Sequence, residues 1–423
     1  MKKFFALLLA VLMILPAVGC SRNQGEVEVA NKDKNAADKD GNYHVALCLP
    51  FTGKSQSYAE YIRWGVDIAL VQLERQGWLN GDGTGKIIVH PFDDTDVATE
   101  GAAIAEKVVS STDPFYLLEI GSFRSDVSLA CVKTYKDAEV PQYALTSSHK
   151  DFLPSSGDWG FSLSMTQDIA ASRVAAYDIK YLGFKDIALM YSNDSWGNET
   201  KTYYTAQAEK FGVKLLASES YESGTQDFKS ILTKIKQSDP KLVMCFCGET
   251  DIVLIKQQAE EIGLHCDWQV SSKSRTSNVL TNLTEKGLAE GLYGIYAQSK
   301  NLKDPVYMAY EEIYKELHGD DYEKAKNTTQ KYADQGYNCM ATVIWAIKET
   351  MKGPNGTTRQ TFRDKLATLH DFPSVQGKLT FAEGRKILQI QYLSQIVKKE
   401  DGTLTWVNYE DIPFDADKEC GFK

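Results

Sequence analysis

The segment IGSFRSDVSLA, residues 120–130, places hydroxyl and charged side chains between an apolar run and a helical pattern. The apolar run predicts a buried strand that ends near Gly121, and apolar side chains at i, i+3 and i+4 from Val127 predict a helix. A strand that passes through glycine and hydroxyl residues into a helix collects backbone N–H groups that bind an anion. The segment therefore predicts an anion site with four polar side chains: Ser122, Arg124, Ser125 and Asp126.

The elements that would position this segment alternate regularly between strand and helix from Tyr43 onward. The strands are unbroken apolar runs, which is typical of parallel sheets covered by helices on both faces. The pattern restarts after a loop at 149–160, so we expect two α/β lobes in tandem with a cleft between them. Ligands in such sheets bind beyond the carboxyl ends of the strands. A hairpin from about residue 378 to 407 predicts an antiparallel edge addition.

Length and charge restrict the possible functions. A chain of 423 residues exceeds one hydrophobic core, and its net charge of −10 argues against nucleic acid as a partner. The six histidines have no metal-ligand spacing, and the sequence contains no HExxH, GxSxG or GxxxxGK[ST] motif. We therefore predict a binding protein with no catalytic residues, metal or cofactor.

The first twenty residues, MKKFFALLLAVLMILPAVGC, have the basic start, short apolar stretch and small residues of a secretory signal. The end, AVGC, resembles the lipobox of bacterial lipoproteins, in which the cysteine is acylated and becomes the mature N-terminus. We expect a signal peptide over 1–19, lipidation at Cys20 and a flexible polar tether over 20–42. The alternative is an ordinary signal cleaved near Ala17. A lipid anchor predicts a protein held just outside the cytoplasmic membrane, in the periplasm or at the cell surface.

Several segments in order resemble the type I periplasmic substrate-binding proteins of ABC importers, and in particular the branched-chain amino acid (Leu/Ile/Val) binding proteins. The resemblance covers about residues 43–405, and it is carried by FDDTDVATEGAAIAEKVV, IGSFRSDVSLACVKTYKDAEVPQYALTSS, YSNDSWGNETKTYYTAQAEKFGVKLL and DQGYNCMATVIWAIKET. It implies two doubly wound parallel-sheet lobes joined by three hinge strands, with the ligand in the cleft. The implied lobes are 43–162 with 298–352 and 163–297 with 353–423.

The resemblance also implies the function. Such a protein captures an amino acid or a similar small carboxylate by hinge closure and delivers it to ABC permease and ATPase subunits. The alternative is a lipoprotein sensor or regulator that uses the same fold without transport.

Specific residues match the ligand-binding positions of this family. Ser125 takes the position of the hydroxyl that holds the ligand carboxylate, and Ser147 and Ser148 match the end of the fourth strand. Trp196 matches an aromatic residue in the turn DSWG, and Tyr58 matches the aromatic residue beside the first loop.

Lys273 departs from the family pattern, because an acidic residue that meets the ligand ammonium often follows the strand WQVSS in that family. A cation there would repel an ammonium group. Glu249 could supply the carboxylate instead, the register could slip, or the ligand could lack an ammonium and carry a second acid group. Arg124 favours the last account, although Asp126 could simply neutralise it.

Overall fold

The computed structural model of this chain describes six stretches, residues 34–296, 303–325, 330–381, 385–387, 391–409 and 413–422. The predicted signal peptide over 1–19 and the predicted lipidation site Cys20 lie outside the described residues. Within the described stretches, no helix combines the length and the apolar character needed to cross a membrane.

The first lobe is built on a five-stranded sheet in the order β2-β1-β3-β4-β5, with every neighbouring pair parallel. Its elements are β1 (Tyr43–Leu49), α1 (Gln56–Arg75), β2 (Ile87–Asp93), α2 (Ala98–Ser110), β3 (Tyr116–Gly121), α3 (Ser125–Asp137), β4 (Gln142–Ala144), α4 (Phe152–Ser156) and β5 (Gly160–Ser162). Both faces of the sheet are covered by separate apolar clusters, one of them against α2 and α3. The apolar character of β1 and β3 follows from this burial on two faces.

The second lobe has a seven-stranded sheet in the order β14-β13-β10-β9-β8-β6-β7. Its first part consists of α5 (Gln167–Ala176), β6 (Ile187–Ser192), α6 (Ser195–Lys210), β7 (Ala217–Tyr221), α7 (Lys229–Gln237), β8 (Leu242–Phe246), α8 (Glu249–Glu261), β9 (Asp267–Val270), α9 (Ser277–Glu285) and β10 (Tyr293–Tyr296). Strands β6 to β10 pair in parallel. The predicted two-lobed α/β fold with parallel sheets is confirmed.

The last third of the chain contributes to both lobes. Its elements are α10 (Pro305–Ala325), α11 (Gln330–Thr350), α12 (Arg359–Ala367), β11 (Phe372–Ser374), β12 (Gly377–Leu379), β13 (Tyr392–Lys398), β14 (Leu404–Asn408) and α13 (Ala416–Cys420). Strand β13 pairs antiparallel with β10, and β14 pairs antiparallel with β13. The antiparallel edge is therefore present, but the hairpin predicted over 378–407 is divided between the lobes.

The predicted assignment of all of 353–423 to the second lobe needs correction. Phe362 and Leu366 of α12 and Leu379 of β12 lie in the apolar core of the first lobe. The Arg359 side chain fixes this packing, because its Nε donates to the carbonyl oxygen of Tyr116 in β3 at 2.9 Å. An apolar helix face can cover either sheet, so periodicity alone did not reveal which lobe α12 would join.

Helices α1 and α11 of the first lobe cross at two glycines. A Cβ at Gly65 would lie 1.9 Å from the carbonyl oxygen of Ala333, and one at Gly336 would lie 2.1 Å from that of Ile62. Only glycine allows backbones to approach this closely. The crossing holds α11, which carries Tyr332 and Gln335, against α1, which carries Tyr58.

The predicted boundaries of the tether and the hinge change in detail. Ala36 is buried in the first-lobe core and its N–H donates to the carbonyl oxygen of Thr357 at 2.8 Å, so the tether predicted over 20–42 ends before residue 36. Of the three predicted crossings between the lobes, those at 162/163 and 352/353 fall within the described residues, and the one at 297/298 lies outside them.

Candidate ligand-binding cleft

The loop between β3 and α3 forms one wall of a cavity between the lobes. Strand β3 is buried throughout, and Ser125 is the first residue of α3. The first N–H groups of a helix have no carbonyl partner within the helix and carry its positive dipole end. The hydroxyl oxygen of Ser125, a residue that is 4% exposed, accepts from the N–H of Ser148 at 3.4 Å. The Ser125 hydroxyl and the start of α3 therefore lie on the same wall of the cavity.

The end of β4 supplies two further hydroxyl groups. Thr146 and Ser148 line the cavity, whereas Ser147 does not. The carbonyl oxygen of Ser147 instead accepts from the hydroxyl of Ser162 at 3.1 Å. Thr146 and Ser148 therefore face the cleft together, after the chain bends at the end of β4. The Ser148 hydroxyl accepts from Nε2 of Gln167 at 2.7 Å, which fixes its orientation.

The cavity has a volume of about 850 Å³, including the part that opens to solvent. Its lining comes from both lobes and from the segment that crosses between them. The lining residues are Phe123, Arg124, Ser125, Asp126, Thr146, Ser148, Ser164, Met165, Gln167, Ala170, Asp194, Trp196, Ser272, Lys273, Tyr332, Gln335 and Gln391.

Aromatic rings surround the ammonium group of Lys273 in this cavity. Its Nζ lies 4.9 Å from the ring centroid of Trp196 in the second lobe and 5.6 Å from that of Phe123 in the first. These distances are those of cation–π contacts. Trp196 therefore lines the cavity, and Lys273 faces it too, which disagrees with the account in which a register slip leaves Lys273 in solvent.

Arg124 also lines the cavity, but its guanidinium is engaged by carboxylates. Its Nε and Nη2 donate to the two oxygens of Asp126 at 3.0 and 2.8 Å, and Nη2 lies 3.6 Å from Oδ2 of Asp194. Burial acts to raise the pKa of Asp126, yet the hydrogen bonds and charge of Arg124 outweigh it, and the pKa lies below its ordinary value. The expectation that Asp126 neutralises Arg124 matches this geometry.

Tyr58 and Glu249 lie in a second, outer cavity of about 900 Å³ that shares Arg124, Asp194 and Lys273 with the first. The Tyr58 hydroxyl accepts from the N–H of Glu249 at 3.1 Å and donates to the carbonyl oxygen of Lys273 at 3.2 Å. Both residues therefore connect the lobes and do not line the inner cavity.

Glu249 is 5% exposed, and one carboxylate oxygen has two partners. Oε1 accepts from the hydroxyl of Ser57 at 2.5 Å and from Nδ2 of Asn278 at 3.3 Å. Oε2 is buried and has no partner within the described part of the chain. The carboxylate is thus held at the lobe interface, away from Ser125.

Sequence reasoning did not single out several residues of the inner cavity. Phe123 and Thr146 are direct neighbours of predicted positions, and alternation along the strand end would have favoured Thr146 over Ser147. Gln167, Tyr332, Gln335 and Gln391 come from distant parts of the chain, and no local pattern marks them. Their amide and hydroxyl groups make much of the cavity wall polar but uncharged.

The arrangement suits capture of a small anion-bearing solute. Hydroxyl groups and a helix N-terminus face a cavity enclosed by two lobes, with a lysine ammonium between two aromatic rings. In the described residues, no three His, Cys, Asp or Glu side chains come together in a way that could hold a metal ion. The fold and cleft define the class of two-lobed proteins that bind a solute between their lobes.

Comparison with known proteins gives the family. Residues 42–401 match the family model of the periplasmic binding proteins. Leu/Ile/Val-binding protein homolog 1 of Brucella suis is 21% identical over 341 residues, which cover 80% of this chain and 86% of that protein. The chain belongs to the periplasmic binding protein family, and the predicted resemblance to its type I branched-chain amino acid members is confirmed. These relatives are solute-binding proteins and not enzymes.

Solved structures share the fold at low identity. The branched-chain amino acid transporter substrate-binding protein LivJ from Streptococcus pneumoniae, in complex with isoleucine, has a TM-score of 0.73 and 18% identity, covering 86% of this chain and 99% of that one. An ABC transporter solute-binding protein from R. palustris, in complex with benzoate, has a TM-score of 0.72 and 16% identity, covering 86% and 95%.

Proposed function

We propose that this chain is an extracytoplasmic solute-binding lipoprotein that captures an amino acid or a similar small carboxylate and delivers it to an ABC permease. The observation that carries the proposal is the inner cavity, where the hydroxyls of Ser125 and Ser148 and the start of α3 face one space, while the Thr146 hydroxyl there already donates to the carbonyl oxygen of Phe123 at 2.6 Å. Such a group of donors binds a carboxylate through charge-assisted hydrogen bonds.

The names of the relatives support the ligand class. The Brucella protein is named for leucine, isoleucine and valine, and the Streptococcus structure contains isoleucine. The R. palustris structure contains benzoate, a carboxylate without an ammonium group. A carboxylate is common to these ligands, and the first lobe of this chain offers the groups to hold one.

Hinge closure is the proposed means of capture. The cavity lining is divided between the lobes, so a bound solute makes all of its contacts only when the lobes close. A ligand that binds the closed form better shifts the population toward it. The closed form would then be the one that docks on the permease and its ATPase subunits.

Binding is tested by a thermal-shift screen of the purified mature chain against amino acids, amides, dicarboxylates and aromatic acids, followed by calorimetry. Ser125→Ala should weaken the selected carboxylate by about 1–3 kcal/mol, because a hydrogen bond to a charged group is lost. Ser110→Ala is the matched control, since that exposed hydroxyl bonds only to carbonyl oxygens of its own helix. Equal affinities for the wild type, Ser125→Ala and Ser110→Ala would place the site elsewhere. If a carboxylate binds but cells that lack the gene for this protein still take it up, a sensor would be favoured over a transport protein.

Anchoring at Cys20 is tested by cell fractionation. The wild-type chain should partition into detergent with the membrane fraction, because an acyl chain supplies membrane affinity that the acidic surface does not. The Cys20→Ala variant should accumulate as uncleaved precursor or be released as a soluble form. Uncleaved precursor keeps its apolar signal and partitions with the membrane, so chain length must be measured as well; a Cys20→Ala protein of mature length that partitions like the wild type would contradict lipidation at this residue.

A further inference from the structure

We propose that Lys273 makes the inner cavity selective for carboxylates that lack an ammonium group, and that zwitterionic amino acids are disfavoured. The inference rests on the proposed function and narrows its ligand class. It is carried by the way in which the charged side chains around the cavity are paired. An amino acid needs a partner for its carboxylate and another for its ammonium group, and this pairing favours only the carboxylate.

The ammonium of Lys273 occupies the place where a ligand cation would be most stable. Trp196 and Phe123 present their rings to Nζ at 4.9 and 5.6 Å, one from each lobe. A cation between two ring faces is attracted by both. Because the protein supplies that cation itself, a ligand ammonium entering the same space would meet a like charge in a partly desolvated cleft.

The carboxylates of the inner cavity are already paired. Among its lining residues in the described part of the chain, Asp126 and Asp194 are the acidic ones. Asp126 accepts from Nε and Nη2 of Arg124, and its Oδ1 also accepts from the N–H of Val127 at 3.1 Å. Asp194 lies 3.6 Å from Arg124 and accepts from the N–H of Gly197 at 2.7 Å. Each carboxylate therefore already has a guanidinium within 4 Å and a backbone N–H as a donor.

Further acceptors line the outer cavity, which shares Arg124, Asp194 and Lys273 with the inner one, or they carry no charge. The buried Oε2 of Glu249 has no partner in the described residues, but Glu249 lines the outer cavity and not the inner one. Gln391 offers an unpartnered buried amide oxygen to the inner cavity, which suits a hydroxyl or amide N–H of a ligand but carries no charge.

Two cations and two carboxylates line the inner cavity, so their formal charges balance, but they are paired unequally. Arg124 lies within 4 Å of both Asp126 and Asp194, whereas Lys273 has no carboxylate oxygen within 4 Å in the described residues, although its charge also acts on Asp96 in the adjoining cavity. A carboxylate bound at Ser125 would give Lys273 a negative partner in the inner cavity. An amino acid would bring that charge together with an ammonium that finds no partner, and an unpaired buried charge is unfavourable.

The test uses pairs of ligands that differ only in the ammonium group. Calorimetry on the mature chain compares L-leucine with 4-methylpentanoate, L-glutamate with glutarate, and L-phenylalanine with 3-phenylpropanoate. In the pair that fits the cavity, the acid without an ammonium should bind at least about 10-fold more tightly than the amino acid. Lys273→Met should weaken that acid by about 10-fold or more, and Lys273→Glu should reverse the preference.

Lys286→Met is the matched control, because it removes one exposed lysine charge from the same lobe. Its ligand ratios should equal those of the wild type, and circular dichroism confirms that each variant is folded. Two results would overturn this inference and leave the proposed function intact. One is tighter binding of the amino acid by the wild type, and the other is an unchanged ratio of acid to amino acid affinity in Lys273→Met. Failure of every acid and amino acid to bind would overturn the proposed function and this inference with it.

Discussion

At the scale of single residues, the two cations of the cleft have different surroundings. Arg124 is held by Asp126 and approached by Asp194, so its guanidinium organises the wall of the cavity. Lys273 faces aromatic rings. Arg124 stood out in the sequence because guanidinium binds carboxylates, and the carboxylate it binds belongs to the protein itself. Lys273, which has no ion-pair partner within 4 Å in the described residues, is the residue that departs from the family pattern.

Asp178 is a second residue whose environment has a measurable consequence. Its side chain is fully buried in the turn after α5, where the hydroxyl of Tyr204 donates to Oδ2 at 2.6 Å. Oδ1 has no partner in the described residues. Burial raises the pKa of Asp178 to about 8, and the Tyr204 hydrogen bond opposes this only in part. The carboxyl group is therefore protonated in the folded protein at neutral pH.

Asp178→Asn should flatten the pH dependence of stability. The unfolded chain loses this proton near pH 4 and the folded chain near pH 8, so the wild type loses stability as the pH rises through that window. Asparagine resembles the protonated acid and cannot ionise. Relative to the wild type, the variant should gain roughly 2–5 kcal/mol of unfolding free energy between pH 5 and pH 8. Denaturant unfolding followed by fluorescence at both pH values measures the difference.

Asp82→Asn is the control for this experiment, because Asp82 is exposed and hydrogen-bonded to Thr84, which holds its pKa below the ordinary value. Both states of the control ionise below pH 5, so its stability should follow that of the wild type between pH 5 and pH 8. Parallel curves for Asp178→Asn and the wild type would show that Asp178 is already ionised in the folded state.

At the scale of elements, the sequence predicts what local patterns determine. The apolar runs that become β1, β3, β6 and β8 are buried on both faces. A continuous apolar run fits such a strand, whereas an amphipathic helix with the same residues would expose apolar surface. The parallel order of the sheets follows from the alternation of strands and helices. The placing of α12 did not follow, because its partner, Tyr116 in β3, is distant in the chain.

The same limit explains how much of the candidate site could be predicted. Ser125, Arg124 and Ser148 follow strand ends, and parallel sheets bring strand ends together, so local reasoning found them. Ser147 was selected with Ser148, although it does not line the cavity. Gln335 reaches the cleft because α11 crosses α1, and Gln391 reaches it just before β13 of the second lobe. Both positions depend on tertiary contacts, which no local sequence pattern indicates.

At the scale of the whole molecule, the lobes are in contact across the cleft. Tyr58 of the first lobe bonds to the backbone of Glu249 and Lys273 in the second. The N–H of Lys150 donates to Oε1 of Glu199 at 3.0 Å, which joins the lobes at another point. These hydrogen bonds exist only while the lobes are together, so under the proposed hinge closure they would stabilise the closed form selectively.

Tyr58→Phe should weaken ligand binding without removing any ligand contact. The variant keeps the ring, which stacks on Phe123 with centroids 4.7 Å apart, and loses two cross-lobe hydrogen bonds. Each is worth about 0.5–1.5 kcal/mol net, so the closed form should lose roughly 1–3 kcal/mol. Affinity for the solute selected in the screen should fall about 5- to 100-fold. Small-angle scattering of the free and ligand-saturated protein should show a less complete compaction.

Tyr337→Phe separates loss of closure from loss of stability. The Tyr337 hydroxyl donates to Oε1 of Gln72 at 2.6 Å, and both residues belong to the first lobe. Its removal should lower the unfolding free energy by a similar amount, because a buried hydrogen bond is lost, yet it should not change the balance between open and closed forms. Because the two variants remove the same group, a difference in affinity between them reports closure alone. Equal affinities for Tyr58→Phe and Tyr337→Phe would mean that Tyr58 stabilises the fold and takes no part in holding the lobes together.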